Sequence, residues 1–161
     1  MTNNPNSVVR SLLIPIQEAQ LLLPSAVVAE VTPYSQPDKT FDSYPEWWLG
    51  IIAWRNQQVP LIAIEKLLSS FLSAPPPTTK YRTIILYGLE SSQVPFYALV
   101  AIDVPKAIEV SEESLSYPKG DMPAGLAFSV TMNNQETVWL PDLTYIENLI
   151  KKLLLTNKME N

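Results

Sequence analysis

The chain carries 16 acidic and 11 basic side chains but neither a histidine nor a cysteine. Without imidazole or thiol it cannot build a Ser-His-Asp triad, a thiolate nucleophile, a disulfide or a zinc site of the common nitrogen and sulfur kind. Carboxylates, lysine, tyrosine, or serine with lysine are what remain for catalysis. Asp103 with Glu30 could serve a small hydrolase or isomerase as acid and base, yet no spacing brings the two together. The adjacent Glu112 and Glu113 follow Ser111 as a solvated pair does at a turn or helix start. Only 4 glycines are present and none are clustered, so no glycine-rich phosphate loop exists. These residue types point away from an enzyme, and they imply no cofactor and no metal.

One residue stands out among the polar groups that are left. In the stretch from Glu46 to Leu68, EWWLGIIAWRNQQVPLIAIEKLL, two almost wholly apolar runs flank Arg55, Asn56, Gln57 and Gln58. An arginine at the tip of a rigid hairpin offers a planar fork of donors to carboxylates or helix-end carbonyls of a partner. The simpler alternative is a turn charge that keeps the hairpin soluble. Asn56 is the non-glycine residue that best tolerates left-handed backbone. In a strand of period two, Trp48 and Trp54 share one face and Trp47 takes the other, unless the chain bends at Gly50. At least one tryptophan is therefore expected to be partly exposed near an interface.

Composition limits the partners. A length of 161 residues with 47% hydrophobic content suits one globular domain or two small subdomains. A net charge of -5 leaves no basic footprint for nucleic acid. No apolar run approaches the roughly 18 residues needed to span a bilayer, and MTNNPNSVVR lacks the order of a secretory signal. The expectation is a cytoplasmic protein with no direct membrane insertion.

The elements that must hold Arg55 in place are short strands. There are 15 prolines against the 4 glycines, and SLLIPI, QLLLP, AVVAEV, LGIIAW and QVPLIAI are brief runs of bulky apolar residues separated by polar turns, the spacing of a small barrel. Ile64, Leu67, Leu68, Phe71 and Leu72 form one face of a short helix. Pro75, Pro76 and Pro77 mark a stiff connector. The second half repeats the pattern, with strands at RTIILYGL, FYALVAI and KAIEV and a pair at AGLAFSVTM and TVWLP joined at Asn133-Asn134. Pro105 within IDVPKAIEV implies an edge position or bulge. Asp142 can cap a final helix whose Leu143, Ile146, Leu149, Ile150, Leu153 and Leu154 make an apolar stripe, with Lys151 and Lys152 near its negative end. The expected organisation is a disordered stretch 1–8, one domain over 9–155 with subdomains of about 9–72 and 80–140 and a helix over 142–155, and a tail 156–161.

The order LLLPSAVVAEV, WWLGIIAWRNQQVPLIAIEKLL, YALVAIDVPKAIEV and AGLAFSVTMNNQETVWLPDLTYIENLI resembles the CheW-like family of chemotaxis adaptor domains from about Val9 to Leu154. Its most specific element is matched by Gly50, Arg55, Val59, Pro60 and IEKLL. The resemblance implies a mainly β fold of two intertwined, SH3-like, five-stranded barrels with a short linking helix, a C-terminal helix and a partner-binding groove between the barrels. It implies a scaffold joining the cytoplasmic tip of a methyl-accepting chemoreceptor to the regulatory domain of a CheA-type histidine kinase. Arg55 would lie at the receptor-binding face, with Val28 and Glu30 beside it. The opening RSLLIPIQEAQLLLPSAVVAEVTPY is similar to ChpC-type adaptors of type IV pilus chemosensory systems, which implies a link to twitching motility. Two departures matter. Asn56 stands where the family usually has glycine, and Ala63 replaces a frequent Asp, removing an N-cap typically worth about 1 kcal/mol.

Overall fold

Runs such as Leu21-Leu22-Leu23 and Ile84-Ile85-Leu86 are apolar at consecutive positions, so both faces of these strands must be covered. The computed structural model shows what covers them. It describes residues 8–17, 19–38, 43–68, 80–89, 93–111, 115–116, 126–132 and 136–159. The start of the N-terminal stretch, Phe71, Leu72, the run Pro75 to Pro77, Glu112, Glu113 and the Asn133-Asn134 turn lie outside the described residues.

Among the described residues, eleven strands and two α-helices follow one another in the order β1 (Val9–Ile16), β2 (Ala19–Pro24), β3 (Val28–Pro33), β4 (Trp48–Trp54), β5 (Gln57–Ile62), α1 (Ile64–Leu68), β6 (Arg82–Tyr87), β7 (Phe96–Ala101), β8 (Lys106–Val110), β9 (Leu115–Ser116), β10 (Leu126–Met132), β11 (Glu136–Pro141) and α2 (Leu143–Met159). They form a sheet of order β8-β1-β2-β11-β10-β9 and a second of order β3-β6-β7-β5-β4. Apart from the two-residue β9, the pairing pattern is the same in both. An antiparallel hairpin (β1-β2 or β6-β7) meets a second one (β10-β11 or β4-β5) through a parallel contact, and one further strand flanks the first hairpin.

That flanking strand comes from the other half of the chain's path. After β1 and β2 the chain crosses to place β3 beside β6, and after β6 and β7 it crosses back to place β8 beside β1. The sheets are therefore intertwined. The division expected at the proline run separates two similar halves in sequence but not the two sheets, because each half gives its first hairpin to one sheet and its later strands to the other.

The exchange creates three apolar layers. Leu13, Leu22, Val110 and Val138 fill the first sheet. Ile52, Val59, Leu61, Tyr81, Ile85, Ala98 and Val100 fill the second. Between them Ile14, Ile16, Leu21 and Leu23 pack against Ile84, Leu86, Tyr97 and Leu99, with Ile64 of α1 and Ile146 and Ile150 of α2. Pro15 and Pro105 sit where their missing donor does no harm. Pro15 lies past the end of the β1-β8 pairing, which stops at Leu13, and its carbonyl accepts from Ile102 N–H at 3.0 Å. Pro105 precedes β8, an edge strand.

The described part of α1 ends at Leu68. The final helix runs beyond the expected end to Met159; no breaker interrupts Thr156 to Met159, and the Thr156 hydroxyl donates to Lys152 O at 2.9 Å. At its start the Asp142 carboxylate accepts from Tyr145 N–H at 3.1 Å, the N-cap geometry. Replacing Asp142 with Ala is expected to lower stability by about 1 kcal/mol in urea denaturation, and an unchanged midpoint would show that the cap contributes nothing.

Candidate functional site

Two bulges decide what reaches the surface around Arg55. The β4-β5 register shifts between Trp48 and Gly50, and Gly50 has φ 141, a conformation open to glycine. The extra residue changes the phase of the strand. Trp48, 6% exposed, enters the shared core with Trp47 packed beside it, while Trp54 packs against the core of the second sheet. The bend at Gly50, the exception the sequence allowed, thus puts Trp47 and Trp48 against one core and Trp54 against another. Trp47 and Trp54 are half-buried. The second bulge lies between Val28 and Glu30 in β3. It leaves Val28 half-buried against the shared core and Glu30 on the side of Trp54.

Trp54 pairs with Gln57, so Arg55 and Asn56 alone make the hairpin loop. Both have positive φ, 46 and 62, as a type I′ turn requires. Asn56 was legible as a left-handed residue. Arg55 was not, since a Cβ in this region costs about 1 kcal/mol or more.

What holds Arg55 there is a cluster of side chains. Its Nη2 lies 3.0 Å from Glu30 Oε1, and its Cζ sits 4.8 Å from the centroid of the Trp54 ring, a cation–π distance. The Trp54 indole N–H donates to the other Glu30 oxygen. Trp54 in turn packs edge-on to Phe96 at 4.9 Å between centroids, and Phe96 lies 5.7 Å from Tyr87. The indole bond first, and then Arg55, hold the Glu30 carboxyl below its ordinary range against the upward push of desolvation. The Arg55 side chain remains 66% exposed and that of Glu30 35%.

Of the expected site residues, Arg55, Asn56, Glu30 and Trp54 therefore meet at one tip. Gly50 and Trp48 are buried and shape the hairpin from within, offering no surface; Val28 lies toward the shared core. Sequence reading missed Phe96 and Tyr87, which extend the tip as an aromatic row. Their signal was the alternation in PFYAL and IILYG, where Phe96 and Tyr87 fall opposite in register. The Asp103 and Glu30 pair is not assembled: Asp103 Oδ1 accepts from the neighbouring Val104 N–H at 2.7 Å, and Glu30 serves Trp54 and Arg55. No group of three His, Cys, Asp or Glu residues placed to hold a metal occurs among the described residues. Nor is any described helix long and apolar enough to cross a membrane.

Two exchanged β-sheets around a shared core, with a braced basic hairpin tip, define the class as a double-barrel β domain. The chain belongs to the family described as CheW-like domain, which matches residues 10–149. Its fold is similar to the crystal structure of the scaffolding protein TtCheW from Thermoanaerobacter tengcongensis, with TM-score 0.70 and 18% identity over 89% of this chain and 91% of that one. No curated protein matched the chain.

Asn56→Gly should leave stability equal or slightly raised, whereas Asn56→Val should cost roughly 1 to 2 kcal/mol; equal melting temperatures for the two variants would contradict the left-handed turn. The Glu30 clip makes a second test. A carboxyl with lowered pKa adds stability that is present above its unfolded value and is lost as pH falls through the folded one. The Trp54 indole N–H resonance should therefore titrate with a midpoint below the ordinary 4.5, and Glu30→Gln should abolish that titration.

Proposed function

We propose that this protein is a chemotaxis-type signalling adaptor, a non-catalytic scaffold that couples the cytoplasmic tip of a methyl-accepting chemoreceptor to the regulatory domain of a CheA-type histidine kinase in the cytoplasm. Membership of the CheW-like family supports the adaptor role, and the described carboxylates of Glu30, Asp103 and Glu65 are engaged by neighbouring N–H groups. The observation that carries the reading is the hairpin tip. Arg55 is held in an unfavourable left-handed conformation, braced by Glu30 and Trp54, yet keeps most of its side chain in solvent. Strain of this kind persists where surrounding structure imposes it, and it clusters at functional positions. A solvent-facing guanidinium over Trp54, from which half-buried Phe96 and exposed Tyr87 continue the row, supplies a charged group beside an aromatic patch, the composition enriched at binding hot spots.

Receptor tips are helical, so carboxylates or terminal carbonyls of helices are the natural acceptors for Arg55. The kinase contact would be made barrel to barrel with its similar regulatory domain. The resemblance of the opening strands to ChpC-type adaptors further favours a type IV pilus system and twitching motility as the output.

Arg55→Ala should weaken binding to a receptor-tip fragment by roughly 2 kcal/mol, about thirtyfold, if Arg55 is a hot spot. Folding stability should change by less than about 1 kcal/mol, because the lost ion pair is exposed. Affinity unchanged within twofold, measured by titration calorimetry, would remove Arg55 from the interface.

A further inference from the structure

The second sheet closes on itself through its two edge strands, and the closure is incomplete. At one end Glu30 of β3 bonds to Trp54 of β4; at the other Asp38 N–H donates to Ile51 O at 2.8 Å. Between these ties lies a slot of about 210 Å³ whose lining includes Thr32, Asp38, Ile52, Ala53, Thr83 and Ile85. Three observations make it a site. Thr83 is 1% exposed and its hydroxyl has no hydrogen-bond partner, a state that buried hydroxyls rarely keep. Ile51 uses its carbonyl for Asp38 and faces Pro60, which has no N–H to exchange. By the alternation of an antiparallel pair, Ala53, two residues on, likewise turns its backbone N–H and C=O to the free edge and so to the slot. Asp38 is the one ionisable side chain among the described residues of the lining. At about 30 Å³ per water the slot holds several molecules, more than one hydroxyl needs.

We propose that the slot binds a small primary ammonium compound carrying a hydroxyl. The ammonium meets Asp38, the hydroxyl bonds to Thr83 and the free backbone of Ala53, and the carbon chain lies against Ile52 and Ile85. An anion is repelled by Asp38, and a purely apolar molecule leaves Thr83 unpaired.

The test uses the isotope-labelled full chain, titrated with 3-amino-1-propanol, with 1-propanol and propionate as neutral and anionic controls. The expected result is saturable shifts of the Asp38, Ala53 and Thr83 amide resonances with the amino alcohol, at least fivefold weaker binding of 1-propanol, and no response to propionate. Thr83→Val should melt at the same or higher temperature and lose the saturable response, and Asp38→Asn should weaken binding at least fivefold. Absence of saturation, equal binding of 1-propanol, or an unchanged response in Thr83→Val would overturn the proposal and leave a slot filled by water. Should Thr83→Val fail to fold, an unchanged affinity in Asp38→Asn overturns it equally.

Discussion

Everything in this molecule depends on a core that neither sheet can complete alone. Residues alternate along β6 between the interior of their own sheet and the layer between sheets, with Ile85 inward and Ile84 and Leu86 outward. The same phase holds in β2, where Leu22 fills the first sheet while Leu21 and Leu23 meet the second. Burying a leucine or isoleucine fully is worth about 1.5–3 kcal/mol, so separating the sheets would expose a row of such residues at prohibitive cost. Strand exchange reinforces this. β3 and β8 are covalently tied to one sheet's hairpin and hydrogen-bonded into the other, which makes the two sheets one cooperative body.

A rigid body of this kind can hold a strained tip. The left-handed backbone at Arg55 is unfavourable by itself, but β4 and β5 are fixed on both sides of it by Ile52, Val59 and Leu61 in the sheet interior. Two bulges then set directions. One rotates Trp48 and Trp54 onto different cores, and the other turns Glu30 toward the indole. Since β3 and β4 are the outer strands of the sheet order, the bonds from Trp54 and Arg55 to Glu30 also join its two edges, and what looks like a surface ion pair is part of the closure of the barrel.

Much of this was legible in sequence. Strand positions followed from short apolar runs, the two similar halves from their recurrence, the helix cap from Asp142 and the left-handed turn from Asn56. The exchange of strands was implied by the family resemblance and not by local pattern, because pairing partners across 50 or more residues leave no local trace: β3 reads the same whether it joins β2 or β6. The bulge at Gly50 was visible only as a bend that period-two counting could allow but not require. Arg55 in left-handed backbone ran against residue preference, and only tertiary contacts explain it. Phe96 was read as strand filling, and its place beside Trp54 depends on the parallel contact of β5 with β7, which sequence does not announce.

Three carboxylates act as ties between distant parts of the chain. Glu65, buried and with its pKa raised by that burial, accepts from Gln17 N–H. Glu147, also buried, accepts with both oxygens from Leu89 N–H at 2.8 and 3.0 Å. Glu30 accepts from Trp54 and Arg55. Each clips together segments far apart in sequence, by 48, 58, and 24 or 25 residues. For Glu30 the pairing also bears on the interface proposed at Arg55. Under that proposal a partner carboxylate approaching Arg55 would have to share a guanidinium already neutralised within the domain, so its net electrostatic gain would be smaller than that from an unpaired arginine. What the prior pairing provides is direction. The fork is aimed before contact, and the entropy of ordering a long side chain is already lost in the free protein. In the proposed role such a tip would select partners by geometry more than by raw attraction, as a scaffold requires if it is to hold its assembly in one register.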